Sequence, residues 1–305
     1  MRRMRTVVFA YHNVGVRCLK TLLARGVDVS LVVTHEDNPK ETIWFESVAA
    51  VCREKGIPFI TPDDPNSPEM LARIKAEEPD FIFSFYYRHM LPGSILALAK
   101  NGAYNMHGSL LPKYRGRVPV NWAVLHGETE TGATLHEMTA KPDAGFIVAQ
   151  TSVPILPDDT AFEVFGKVTV AAEQTLWNVL PEMLAGRTPK LPNKLNEGSY
   201  FGGRKPEDGR IDWLQPAQAI YNLHRAVAPP YPGAWTIIGN NTFIISKARL
   251  ADMATPHLSA GLTVVDNYIL GVGGDGRALE IHELLCDGRP LSPADLKRAL
   301  SSVQS

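Results

Sequence analysis

Residues 6–34 read TVVFAYHNVGVRCLKTLLARGVDVSLVVT: an apolar run, a helical period, then a second apolar run. Residues 6–10 (TVVFA) are β-branched and apolar without alternation, as expected of a strand buried on both faces. From 14 to 24, Val16, Leu19, Leu22 and Leu23 recur at helical spacing, and Gly26 stops the helix. Residues 29–34 form a second strand. Strand, helix, strand in that order predicts a parallel sheet joined by a right-handed crossover. The intervening Tyr11-His12-Asn13-Val14-Gly15 opens the helix, a natural place for an anion, with Asn13 also suited to a cap. It lacks the three-glycine dinucleotide fingerprint, so NAD binding is not read here.

The pattern continues outward. A helix is expected over 42–55, with Val48, Ala49, Val51 and Cys52 on one side. A third strand is expected at 57–60, a helix at 68–76 and a fourth strand at 81–85. A short helix then precedes a fifth strand at 103–106. This alternation predicts an α/β, Rossmann-like, doubly wound and mostly parallel sheet with helices on both faces. Two more strands are expected at 131–138 and 146–153, then a long helix at 161–184 ended by Gly186. Residues 187–205 are rich in Pro, Asn, Lys and Gly and read as a linker. Beyond a helix at 217–227, short runs at 234–238, 242–245, 262–265, 269–272 and 279–284 lie between turn residues, as in a small barrel. The expected organisation is a catalytic domain at 1–188, a linker at 189–205 and a smaller domain at 206–305.

At 305 residues, with 45% hydrophobic and 21% charged residues, the chain can bury a sizeable core. A formal net charge of −1 gives no global pull toward nucleic acid or membrane. The 3 cysteines, Cys18, Cys52 and Cys286, have no metal spacing and suit a reducing cytoplasm. The apolar run after MRRMR is too short for a signal peptide, and no stretch approaches the roughly 20 apolar residues of a membrane span. Residues 1–4 read as a short tag.

The chemistry concentrates in 101–145, NGAYNMHGSLLPKYRGRVPVNWAVLHGETETGATLHEMTAKPDAG. Asn105 and His107 are two apart on a strand and so share a face. Asp143 follows in a Pro-Asp-Ala-Gly turn. Singly, each is an ordinary turn or capping residue. Together, an amide donor, an imidazole and a carboxylate suit attack on a carbonyl. Asn105 can donate to a developing oxyanion, His107 can donate or shuttle a proton, and Asp143 can orient the imidazole or take a proton. No metal is needed.

Asn-x-His followed by SLLPKYRG and a downstream Asp resembles the signature of formyltransferases that use 10-formyltetrahydrofolate. Within that superfamily, FAYHNVG (9–15), THEDNP (34–39), FSFYYRHML (83–91) and NMHGSLLPKYRGRVPVNW (105–122) resemble most the UDP-4-amino-4-deoxy-L-arabinose formyltransferase branch, whose setting is lipid A modification. The resemblance runs through most of 5–245. It implies Asn105, His107 and Asp143 as the catalytic residues and an OB-like β-barrel as the C-terminal domain. It also implies a folate pocket from backbone groups around His89, Met90 and Leu91, completed by Arg117 and by Thr139, Ala140, Lys141 and Pro142. For the amine acceptor the candidates are Tyr11 and Asn13 in the helix-opening loop, Arg88, and Arg225, Tyr231 and Trp235, whose stretch resembles one at the entry to the family's C-terminal domain. Arg88 has a surface ion pair as its alternative, Trp235 has inter-domain packing, and His136 has support of the Asp143 loop.

Two acceptors compete, a nucleotide-linked amino sugar and the methionyl amine of initiator tRNA. Residues 206–305 hold 8 basic against 10 acidic residues, where a grip on tRNA phosphates calls for a basic surface. The segment HEDNPKETIWFESVA also lacks the longer basic, glycine-containing insertion of the tRNA-modifying branch. Both points favour the sugar. The decarboxylase domain often fused to the arabinose enzyme has no room after residue 305, so a partner activity on another chain, or a different sugar, is expected. A formyltetrahydrofolate hydrolase, a folate-binding protein without turnover and the smaller glycinamide-ribotide enzyme stay open as alternatives.

Overall fold

The structure, a computed structural model, describes residues 4–303. The tag reading of 1–4 therefore lies almost wholly outside the described residues. The chain divides into two compact units, one of residues up to 119 with 130–154 and 166–202, the other of 120–129, 155–165 and 203 onward.

The elements of the first unit begin with β1 (Arg5–Ala10), α1 (His12–Ala24), β2 (Asp28–Val33), α2 (Val48–Lys55) and β3 (Phe59–Ile60). They continue with α3 (Pro68–Ala76), β4 (Phe81–Phe85), α4 (Gly93–Leu96), β5 (Ala103–His107) and β6 (Arg115–Gly116). Beyond α5 (Pro119–Leu125), which lies almost wholly in the second unit, β7 (Glu130–Glu137), β8 (Ile147–Pro154), most of α6 (Ala161–Leu184) and β9 (Tyr200–Phe201) complete the first. Seven strands form one sheet in the order β3-β2-β1-β4-β5-β7-β8. The first five are parallel, whereas β7 joins β5, and β8 joins β7, antiparallel. The chain winds outward from β1 through β2 to β3, then resumes on the other side at β4. That reversal is a topological switch point, and ligands of open α/β sheets bind at the strand carboxyl ends beside it.

The central strands are apolar because both faces are covered. Val7, Phe9, Leu31, Val33 and Ile82 pack with Met70, Ile74 and Ile95. Val8, Val32 and Phe83, at the alternate positions, are equally inaccessible. Each such side chain contributes roughly 1.5–3 kcal/mol by leaving water. α1 approaches the switch point closely: a Cβ on Gly15 would lie 3.2 Å from the Ala10 backbone and from the Phe85 carbonyl oxygen.

The helix expected over 42–55 begins only at Val48. Ser47 caps it, its side chain accepting the Ala50 N–H. The bulky residues before it pack as a loop, with Phe45 and Trp44 placing their rings 3.9 and 4.6 Å from that of His12. Residues 189–205 are hydrogen-bonded rather than featureless. Leu191 bridges Ile147, a single 3-10 turn covers Leu195–Glu197, and β9 pairs with β6 in parallel.

The second unit contains α7 (Ala217–Val227), β10 (Ala234–Ile238), β11 (Asn241–Ala254), β12 (Gly261–Val265), β13 (Tyr268–Val272), β14 (Arg277–Cys286), β15 (Arg289–Pro290) and α8 (Pro293–Val303). Its sheet is antiparallel, in the order β10-β11-β14-β13-β12. β11 runs well past the expected 242–245 and shifts register near Ile245 and Lys247, where such bulges bend a strand. α8 contacts both end strands, β10 and β12, so the sheet curls until its edges meet one helix. This is the barrel-like C-terminal architecture expected from the run of short strands. Among the described residues, no helix is long and apolar enough to cross a membrane.

Candidate active site

Asn105 and His107 lie at the carboxyl end of β5, on one face as their spacing requires. β7 sets His136 directly opposite Asn105 and Thr134 opposite His107. The turn after β7 then brings Asp143 back over the strand ends, with its backbone left-handed at φ 49°. Four polar side chains converge there. Asn105 Nδ2 lies 3.1 Å from His136 Nε2. Asp143 Oδ1 lies 3.5 Å from His107 Nδ1 and 3.4 Å from His136 Nε2. Asp143 Oδ2 accepts the Gly116 N–H at 2.8 Å.

The partners fix the roles of the ring nitrogens. His107 Nε2 sits 2.8 Å from the Tyr114 carbonyl oxygen, so it carries a proton and donates. Only Nδ1 remains to face Asp143 or a substrate. His136 Nδ1 sits 2.9 Å from the Glu137 carbonyl oxygen, so it too is N–H. Its Nε2 lone pair then accepts from Asn105, which aims the amide and leaves the second Nδ2–H of Asn105 for another acceptor. Burial raises the Asp143 carboxyl, but His107, His136 and the Gly116 N–H outweigh it and hold the group well below the ordinary carboxylate range. Burial lowers His107, and the neighbouring Asp143 carboxylate offsets this in part. At neutral pH the site therefore pairs a carboxylate with a neutral imidazole that can take a proton at Nδ1.

The loop at 109–116 is braced from beneath. Thr134 Oγ1 donates to the Ser109 carbonyl and accepts the Leu111 N–H, while Gln150 Nε2 donates to the Leu111 carbonyl. Gly108 makes room for Tyr86, since a Cβ there would fall 2.0 Å from the Tyr86 hydroxyl. His136 carries the arrangement as much as the three residues expected, although sequence reading gave it only loop support. Its position opposite Asn105 follows from the β5–β7 register, which no local pattern announces.

Residues 4–180 match the formyl transferase family, and residues 204–300 match the family of formyl transferase C-terminal domains. The chain belongs to the formyl transferase family. Its fold is similar to that of WlaRD, a sugar 3N-formyl transferase crystallised with dTDP and 5-N-formyl-THF (TM-score 0.72, 20% identity, 92% of this chain and 98% of that chain). It is also similar to the N-formyltransferase from Helicobacter canadensis in complex with folinic acid and dTDP-3-aminofucose (TM-score 0.70, 19% identity, 92% and 99%). A third similar structure, HypX from Aquifex aeolicus with tetrahydrofolic acid, is matched over 99% of this chain but 48% of that one (TM-score 0.66, 19% identity).

The other expected residues of this formyl transferase fall into two groups. His89 and Met90 are exposed after β4, and Leu91 beside them is buried. Arg117 is exposed next to Gly116, and Thr139, Ala140 and Lys141 form the exposed approach, through Pro142, to Asp143. Thr139 Oγ1 donates to the Lys141 carbonyl within that loop. The acceptor candidates are each engaged internally. Tyr11 donates its hydroxyl to Asp37, and Asn13 accepts the Glu46 N–H. Arg88 forms a two-pronged pair with Glu41 and lies over the Tyr11 ring. In the second unit, Arg225 is buried and donates to the Asp159 carbonyl and to Asn222, and Tyr231 is half-buried beside Asn121. Trp235 donates to the Pro206 carbonyl.

Proposed function

We propose that this formyl transferase moves a formyl group from 10-formyltetrahydrofolate to the primary amine of a nucleotide-linked amino sugar. The observation that carries the reading is the convergence of Asn105, His107 and His136 on Asp143 at the carboxyl end of the sheet. Asn105 offers an N–H to the formyl oxygen as charge develops on it. His107 Nδ1, or Asp143 beside it, takes the proton that the amine loses. His89, Met90 and Leu91, with Arg117 and the Thr139–Pro142 loop, are the proposed folate contacts, as the family resemblance implies. The three catalytic roles and the folate contacts are proposals of the same reading, as is the division at 1–188, 189–205 and 206–305.

The sugar acceptor is supported by the likeness to two sugar N-formyltransferases over nearly their whole length. The acidic balance of residues 206–305 points the same way. A sugar of the UDP-4-amino-4-deoxy-L-arabinose type is the specific proposal, met in the cytoplasm. Tyr11, Asn13 and Arg88, with Arg225 and Tyr231, are its proposed contacts.

The test is incubation with 10-formyltetrahydrofolate and, in separate arms, UDP-4-amino-4-deoxy-L-arabinose, a dTDP-linked amino sugar, charged initiator tRNA, or no amine. Mass analysis of the amine and release of folate are read together. A formylated sugar is expected. Formylated tRNA alone, or folate release without any amine, overturns the sugar reading.

A further inference from the structure

The geometry points to Asn193 as a positioning residue: from a strap at 191–201 it holds the turn that presents Asp143. Leu191 enters the strap through paired backbone hydrogen bonds with Ile147, at 2.9 and 2.8 Å. Two residues later, Asn193 Nδ2 donates to the Asp143 carbonyl at 3.0 Å and to the Gly145 carbonyl at 3.1 Å. Two carbonyl oxygens fix which end of the amide points there, since the reversed amide would set oxygen against oxygen. The turn needs a clamp. Asp143 is a non-glycine residue in the left-handed region, a conformation that persists only where surrounding contacts over-determine it.

The same strap holds the other side of the site. Ser199 Oγ accepts the Tyr114 N–H at 2.9 Å, and the Ser199 carbonyl accepts the Arg115 N–H at 3.0 Å. The Phe201 carbonyl accepts the Arg117 N–H at 3.0 Å, and the Phe201 ring stacks on Tyr114. Tyr114 supplies the carbonyl that receives His107 Nε2–H, and Gly116 supplies the N–H that holds Asp143 Oδ2. A Cβ on Gly116 would fall 2.1 Å from the Phe201 carbonyl oxygen, so strap and loop are in direct backbone contact. One passing segment thus sets both the carboxylate and the imidazole it faces. Asn193 itself touches neither ring nor carboxylate. It acts by fixing where the Asp143 backbone lies, and with it the side chain that His107, His136 and the Gly116 N–H surround.

The kinetic part of the test rests on the formyl-transfer reading, and the spectroscopic part does not. Asn193→Ala and Asn193→Ser are compared with the natural chain, with Lys194→Ala, an exposed strap neighbour, as control. Carbon NMR follows the Asp143 carboxyl through its titration. Steady-state kinetics give kcat and KM for donor and acceptor. For Asn193→Ala the Asp143 titration is expected to move up toward the ordinary carboxylate range. kcat is expected to fall on the order of tenfold to a hundredfold, the scale of a small misplacement at a reacting centre, with both KM values little changed. Asn193→Ser, which can satisfy one carbonyl, is expected to fall between, and Lys194→Ala to match the natural chain. A folded Asn193→Ala protein whose Asp143 titrates as before, with kcat within about twofold, overturns the assignment. Where Asn193→Ala does not fold, an unchanged titration in Asn193→Ser overturns it equally. A natural chain that formylates no amine removes the functional reading and leaves the titration arm to settle the strap.

Discussion

His107 and His136 address one and the same oxygen, Oδ1 of Asp143, from 3.5 and 3.4 Å. At those lengths neither contact is a tight hydrogen bond. The Asp143 carboxylate favours a proton on His107, whereas His136 opposes it. Because burial depresses His107 and the Asp143 carboxylate partly opposes that, the acid limb of kcat should lie below the ordinary histidine value. Asp143→Asn removes the opposing charge. The His107 pKa should then drop further, moving the limb to lower pH while turnover falls on the order of 10²–10⁴. A pH–rate profile of both proteins checks the sign, and a limb that moves upward contradicts the arrangement.

Asn105 offers its N–H where charge is proposed to develop. Asn105→Ala should lower kcat by about 10²–10³, roughly 3 kcal/mol of barrier, with the acceptor KM little changed. Near-normal turnover in this variant would remove Asn105 from the oxyanion role.

His136 reaches the reaction through Asn105 and Asp143, so its loss should be partly redundant with theirs. His136→Phe removes the Nε2 acceptor that aims the Asn105 amide. The single variants should each lose activity, and the double variant His136→Phe/Asn105→Ala should lose much less than the product. The coupling in this cycle is expected at about 0.5–3 kcal/mol. Strict additivity would show that the cross-strand contact has no part in turnover.

Much of the parallel sheet was legible because strands covered on both faces read as largely apolar runs without alternation, and TVVFA, LVV and FIFSF are such runs. The site was legible in part for a simpler reason: Asn105 and His107 share a strand face at spacing two. His136 was not, because what places it is the register of β5 against β7, a non-local property. Nor was the strap. Its Pro, Asn, Lys and Gly residues look like a linker because it is held by backbone groups, Asn193 and Ser199 rather than by apolar burial. The helical spacing of Val48, Ala49, Val51 and Cys52 does not show where the helix starts, and the 42–47 segment is a loop because Trp44 and Phe45 pack on His12.

Stability should fall between pH 6.5 and 4, from both units. His12 is lowered to about 4 by burial and then Arg88, and His35 to about 4 by burial, His89 and Arg88. His224, in the second unit, is lowered to about 4 mainly by burial, with Arg225 adding to it and a backbone hydrogen bond to Ile245 opposing it. In the unfolded chain these rings titrate near the ordinary value of roughly 6.5. Below that pH the unfolded state binds protons that the folded state refuses, so folding loses stability as pH falls, by up to about 1.4 kcal/mol per pH unit for each full proton. Above it the three contribute no slope. Asp143 acts in a different window: its depressed carboxyl stabilises the fold above the unfolded carboxylate value and is lost only further down. His35 also accepts the Arg88 N–H through Nε2, a bond that protonation breaks. Urea midpoints at pH 7.5, 6 and 5 should therefore decline, and His35→Gln, which keeps an acceptor without a titrating ring, should flatten the decline. Midpoints that stay level from pH 7.5 to 5 would show that these rings are not held neutral by the fold.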